Sequence, residues 1–166
     1  RRVHQVTMRS PYDVCNVADL GDTSVNPIDL LDTLKRVEEF FAEVHAAGTV
    51  PLAAGGDHLI TLPIMRAIAK DQAVGMVHFD AHTDTNDRYF GENLYTHGTP
   101  FRRAAEEGLF MDDCSMHVGI RGPLHDREDL KNDAEFGFRI IHCDELERHG
   151  VDHVIERIRA RVGDRP

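Results

Sequence analysis

Asp80, His82 and Asp84 occupy every second position of the segment Asp80-Ala81-His82-Thr83-Asp84. An extended backbone would aim all three side chains the same way, because side chains alternate along a strand. Two carboxylates and an imidazole brought together after a buried run repel one another and resist desolvation unless a cation joins them. Metal binding is the chemistry this pattern favours. The alternative makes Asp80 and Asp84 turn residues or helix caps and leaves His82 a hydrogen-bonded surface histidine. A second motif, Gly55-Gly56-Asp57-His58, delivers another imidazole after paired glycines, which permit a tight backbone path and close approach. Carboxylate and imidazole ligands without thiolate suit a hard or borderline divalent ion better than a structural zinc.

Both motifs must be held by the elements around them. Val50 to Ala54 is a short apolar run leading into the glycines, and Val74 to Phe79 is an apolar, β-branched run leading into Asp80. Met116 to Ile120 and Phe138 to His142 repeat the pattern, with a helix-like segment at Pro100 to Glu107 between. Asn26-Pro27, then apolar Ile28, Leu31, Leu34, Val37, Phe41 and Val44, then Gly48, predicts an amphipathic helix capped by Asn26. Leu59 to Lys70, with Pro63 near its start, and Val151 to Val162 predict two more. Strands alternating with helices imply a three-layer α/β/α fold with a mainly parallel sheet, and such sheets bind ligands beyond the carboxyl ends of their strands. Both motifs lie at such ends.

Length and charge bound the remaining choices. The 166 residues suit one domain with its own core, and 19 Lys+Arg against 29 Asp+Glu give a net charge of -10, which argues against nucleic acid as a partner. No stretch approaches the ~18 apolar residues of a membrane helix. Cys15, Cys114 and Cys143 are scattered and form no CxxC pair, so they read as small buried side chains in a reducing, cytoplasmic protein. Phe40, Phe41 and Met65 read as core, His78 as a core histidine or a support for the Asp80 site, and Arg121 as a buried ion-pair partner or a catalytic group.

GGDH followed by DAHTD resembles the paired signatures of the manganese-dependent ureohydrolases, the arginase and agmatinase family. The similarity extends to Asn86-Asp87-Arg88-Tyr89-Phe90-Gly91, Thr96-His97-Gly98-Thr99-Pro100-Phe101 and Val118-Gly119-Ile120-Arg121-Gly122, and it is closest to the guanidinobutyrase and guanidinopropionase branch. The resemblance implies an arginase-like sheet and hydrolysis of a guanidino compound to urea and an amine. It implies two Mn2+ ions joined by a hydroxide, with His58 and Asp84 on one, His82 on the other and Asp80 bridging both. Asp84 would pass a proton to the departing amine, and His97 would exchange protons with solvent. Asn86 and Tyr89 would meet the far end of 4-guanidinobutyrate or 3-guanidinopropionate; agmatine, with a cationic end, could instead be drawn by Asp87 or Glu92. Trimeric or hexameric assembly is also implied.

The family's later Asp-x-Asp pair has no counterpart, and the usual opening segment is missing. The sequence therefore resembles an internal piece, residues 1–166 of one partial domain incomplete at both ends, expected to bind manganese weakly and turn over little alone. Two other readings stand beside this one: a zinc deacetylase of the acetylpolyamine and histone deacetylase type, whose metal motif also contains Asp-x-His, and a non-catalytic module that keeps only the fold.

Overall fold

The computed structural model describes residues 2–124 and 126–166. Its sheet has three parallel strands in sequence order, β1 (Val74–Phe79), β2 (Phe110–Ile120) and β3 (Phe138–His142). Parallel neighbours need crossovers, here α4 (Pro100–Glu106) between β1 and β2 and α5 (Asp129–Glu135) between β2 and β3. The helices α1 (Pro11–Val14), α2 (Leu30–Ala46) and α3 (Thr61–Ile68) precede the sheet, and α6 (Cys143–Val162) follows it.

The side-chain alternation of the strands divides the core in two. Met76 and Phe138 face Phe101 of α4, whereas Met116, Val118 and Ile141 face Val154 of α6, with Val77, Leu146 and Ile158 filling in. Helix α3 packs on α4, and α2 packs on α3. Helices thus cover both faces of a parallel sheet, the expected three layers. Each fully buried aliphatic or aromatic side chain in these clusters contributes roughly 1.5–3 kcal/mol.

Helix α2 buries Leu34, Val37 and Phe41, at the spacing of one helical face. Its cap is Asp29, whose side chain accepts from the Asp32 N–H at 3.1 Å, and not Asn26. The Asn26 Oδ1 instead accepts from the Ile28 and Asp29 N–H groups, forming a turn that delays the helix and leaves Pro27 outside it. Gly48 lies just past the end at φ +69°, the left-handed conformation that ends many helices.

Other elements differ from expectation for physical reasons. Val50 to Ala54 joins no strand among the described residues; Val50 and Leu52 are 90% and 97% exposed, because an apolar run becomes a strand only where a neighbour takes its backbone hydrogen bonds. Helix α3 is shorter than Leu59 to Lys70, its first turn being the 3-10 turn His58–Ile60. Strand β2 runs back to Phe110, across a register shift between Val74 and Met76. A Cβ on Gly75 there would lie 2.5 Å from Cys114 Sγ and 2.9 Å from its carbonyl oxygen, so only glycine lets the strands close. Helix α6 contains Val151 to Val162 but is broken at Gly150, at φ 82° and ψ 174°. No helix among the described residues is long and apolar enough to cross a membrane.

Candidate metal centre

The chain turns as soon as β1 ends. Asp80 Oδ1 accepts from the His82 N–H at 2.9 Å, and the Ala81 carbonyl accepts from Arg121 and Gly122 N–H at 2.9 and 2.8 Å, tying the turn to the end of β2. The segment is therefore not extended, and the side chains do not all point one way. Asp84 comes round by a left-handed backbone, φ 52°, a conformation aspartate tolerates better than most residues, at a cost of order 1–3 kcal/mol. His58 arrives from the other motif, where Asp57 caps the 3-10 turn by accepting from the Leu59 N–H at 2.8 Å.

These paths bring His58, His78, Asp80 and Asp84 together, with one possible ligand atom from each within 4.8 Å of the others. His58 Nδ1 lies 2.7 Å from Asp84 Oδ2 and 4.0 Å from Asp80 Oδ2, and His78 Nε2 lies 3.6 Å from the same Asp80 oxygen. Three of the four metal residues expected from sequence are in this group. The other, His82, is apart and 59% exposed, its Nδ1 3.5 Å from the second Asp80 oxygen, Oδ1. Asp80 thus presents one oxygen to His58 and His78 and the other to His82.

The electrostatics suit a cation. The hydrogen bond to Asp84 raises the pKa of His58 above the usual imidazole value, against burial. Burial alone would raise Asp80, but the His82 N–H, His78 and the Ala81 N–H together hold it below the usual carboxylate range. Burial pushes His78 down to about 4, so its ring is neutral at physiological pH. Among the described residues its buried Nε2 has no hydrogen-bond partner, and a buried polar atom left unsatisfied calls for an explanation. An orphaned ring nitrogen beside two carboxylates and a second imidazole is a donor set that a divalent ion fits.

His117 was not singled out from sequence, yet it underlies the site. It pairs in register with His78, its Nδ1 2.8 Å from His78 Nδ1, and it has no solvent exposure. Burial lowers its pKa to about 3, so two neutral rings share one hydrogen bond and one of the two Nδ1 atoms must carry the proton. Phe101 seals the pair, its ring centroid 4.3 Å from that of His78. The signal for His117 is its place one strand over from His78, which only the register reveals.

An open cleft of about 800 Å3 adjoins Asp84, with Asn86, Tyr89, Phe90, His97 and Arg102 among its walls. The Asn86 backbone N–H and Nδ2 both donate to the Gly98 carbonyl, at 3.0 and 2.9 Å, so its amide fastens the loop carrying His97. His97 is exposed, with its ring 5.4 Å from Tyr89 and 5.7 Å from Phe90 between centroids. Asp87 is already engaged: Arg103 Nη2 is at 3.0 Å, Arg102 Nε at 3.5 Å and Arg88 Nε at 3.6 Å, and Arg103 above all lowers its pKa. Glu92 is paired with Arg88. Arg121 is exposed and donates to the Gly119 carbonyl at 3.0 Å, so it is not the buried ion-pair partner expected. Of the three free cysteines, Cys114 is buried, Cys143 half-buried and Cys15, against expectation, exposed.

Comparison with known proteins places this geometry in context. The family model described as the arginase family matches residues 1–166. The chain is 55% identical over 166 residues to guanidinopropionase of Pseudomonas aeruginosa, covering all of this chain and 52% of that protein. It is 43% identical to mitochondrial agmatinase of Gallus gallus, covering all of this chain and 49% of that one. Among solved structures, proclavaminate amidino hydrolase of Streptomyces clavuligerus superposes with a TM-score of 0.86 at 31% identity, over 99% of this chain and 55% of that chain. The chain therefore spans about half the length of the relatives it matches.

Proposed function

The chain belongs to the arginase family, and we propose that its full-length protein hydrolyses the guanidino group of a guanidino acid, releasing urea and an amine. The observation that carries this reading is the convergence of His58, His78, Asp80 and Asp84 within 4.8 Å. His58, His78, Asp80 and Asp84, with His82 beside them, would hold two Mn2+ ions, which would supply the Lewis acidity that makes water a nucleophile at neutral pH. The two-sided placement of the Asp80 oxygens suits a pair of ions better than the single zinc of a deacetylase.

The residues of this chain do the rest. Asp80 and Asp84 attract the cationic guanidinium and hold its planar carbon beside the activated water. Water adds to that carbon, and Asp84 accepts the proton that water loses. Asp84 then gives it to the nitrogen whose bond to carbon breaks, so the amine leaves neutral, and the protonated urea left behind gives its extra proton to solvent, where the released amine takes it up. His97, exposed on the cleft rim, exchanges protons with solvent. Tyr89 lines the path of the substrate tail, and Asn86 acts by fixing the His97 loop.

The charge of the cleft favours a carboxylate tail. Asp87 and Glu92, which could attract the ammonium end of agmatine, are neutralised by Arg88, Arg102 and Arg103, leaving 3-guanidinopropionate and 4-guanidinobutyrate as the better substrates. The 55% identity to a guanidinopropionase supports the same choice. A trimeric or hexameric assembly and a cytoplasmic setting complete the reading. Exposed Val17, Leu20, Val25 and Ile28 offer apolar surface for the first, and free cysteines suit the second.

The test is urea release by the full-length protein from 3-guanidinopropionate, 4-guanidinobutyrate and agmatine, before and after chelation and manganese reloading. His58→Ala is expected to lose bound manganese and urea release together, while guanidinopropionate outperforms agmatine in the wild type. A manganese-loaded wild type that releases urea from none of the three overturns the proposal.

A further inference from the structure

Asp133, on the short helix α5, has no solvent exposure. The Thr85 hydroxyl donates to its Oδ1 at 2.5 Å, and the Thr83 hydroxyl lies 2.9 Å from that of Thr85. These two threonines flank Asp84, the residue whose left-handed φ of 52° departs from ordinary backbone. Such a conformation persists only where its surroundings over-determine it. Among the described residues, the Phe101 N–H donates to the Asp84 carbonyl at 3.3 Å, His58 meets its carboxylate at 2.7 Å, and the Thr83–Thr85–Asp133 chain holds both sides. Asp133 itself sits poorly by the standards of packing alone. Among the described residues its buried Oδ2 has no hydrogen-bond partner, a situation an apolar residue would avoid.

We propose that Asp133 is a positioning residue which, through the hydroxyls of Thr85 and Thr83, fixes the left-handed turn that aims the Asp84 carboxylate at His58 and Asp80. The role rests on the metal-centre reading above, and it belongs to a helix that contributes no atom to the centre. It explains why a carboxylate is buried in α5 and why threonine stands on both sides of Asp84. Loss of the acceptor frees the turn, and Asp84 then presents its oxygen to the cation in only a fraction of molecules.

The test uses the full-length protein and four single variants, Asp133→Leu, Asp133→Asn, Thr85→Val and Thr85→Ser, with one double variant, read by manganese affinity in equilibrium dialysis, by kcat and KM, and by thermal unfolding. Asp133→Leu and Thr85→Val are each expected to weaken manganese binding by about 10–100-fold, the range for residues that orient a ligand, and to lower kcat with little change in KM. Asp133→Asn and Thr85→Ser keep the acceptor and the hydroxyl, and should stay within about 3-fold of wild type by the same reasoning. The double variant Asp133→Leu/Thr85→Val should be no worse than either single one, because both cut the same chain. If Asp133→Leu fails to fold, the isosteric Thr85→Val against Thr85→Ser decides alone. Wild-type manganese affinity in Thr85→Val, or equal loss in Thr85→Val and Thr85→Ser, overturns the proposal. A wild type that binds manganese but releases no urea overturns the proposed reaction only, since the affinity comparison still reads the role of Asp133.

Discussion

Replacing Asp133 with asparagine should stabilise the protein at neutral pH and leave it unchanged in acid. Burial is the main cause that raises this carboxyl from 3.8 to about 6; the Thr85 hydrogen bond opposes it, Asp129 adds to it, and Thr83 opposes it more weakly. A folded-state value above the unfolded one means that the folded protein binds the proton more tightly. The contribution of this group to stability is then largest below pH 4, falls as pH rises from about 4 to 6, and stays reduced above the folded pKa. A difference of about two units corresponds to roughly 3 kcal/mol at 1.36 kcal/mol per unit. No discount for solvent screening applies at zero exposure, although a compact unfolded state would shrink the figure. Asparagine stands in for the protonated acid, with an oxygen for Thr85 and no charge. Chemical denaturation of wild type and Asp133→Asn at pH steps from 4 to 8 measures the difference. The gap between the two curves should be near zero at pH 4, open through pH 5 to 6 and level off above pH 6. A gap that stays constant across that range, or one that closes as pH rises, would refute the reasoning.

Two further substitutions probe the site. A Cβ on Gly122 would lie 2.3 Å from His82 Cδ2, 2.7 Å from its Nε2 and 3.1 Å from the Ala81 carbonyl, so Gly122→Ala must push the ring aside. Metal analysis should find the manganese on the His82 side weakened by at least ~10-fold with the fold intact; full retention of both ions would show that His82 holds neither. Arg103→Met releases Asp87 from its nearest cation. The ratio of kcat/KM for agmatine over that for guanidinopropionate should then rise by about 10-fold, the effect of ~1.4 kcal/mol of added attraction for an ammonium tail. An unchanged ratio would mean that Asp87 does not sense the substrate.

Local signals were legible wherever one element decided them. The apolar stripe of α2, the runs that became β1 and β3, and Pro100 at the start of α4 each follow from spacing and residue type. Asp80, Asp84 and His58 were legible because ligand-type side chains crowded at strand ends leave few uncharged explanations. Most of what escaped depended on partners distant in sequence. Val50 to Ala54 has the composition of a strand but no neighbour among the described residues. His117 acquires its place only through the β1–β2 register, and Asp133 only when α5 folds against the Thr83–Thr85 turn. The alternation that pointed to His82 assumed an extended chain, whereas the hydrogen bond from the His82 N–H to Asp80 bends it.

The positive φ at residue 84 restricts evolution there twice over. The backbone admits glycine freely and asparagine and aspartate at a modest cost, and it penalises glutamate, leucine or any β-branched side chain more heavily before chemistry is considered. Of the three that fit, only aspartate carries a charge. Position 84 is thus close to having a single solution, and Asp84→Asn is its cleanest probe: the main-chain shape survives while the negative charge vanishes. A swap to glutamate, often taken as the mild choice, would disturb both at once.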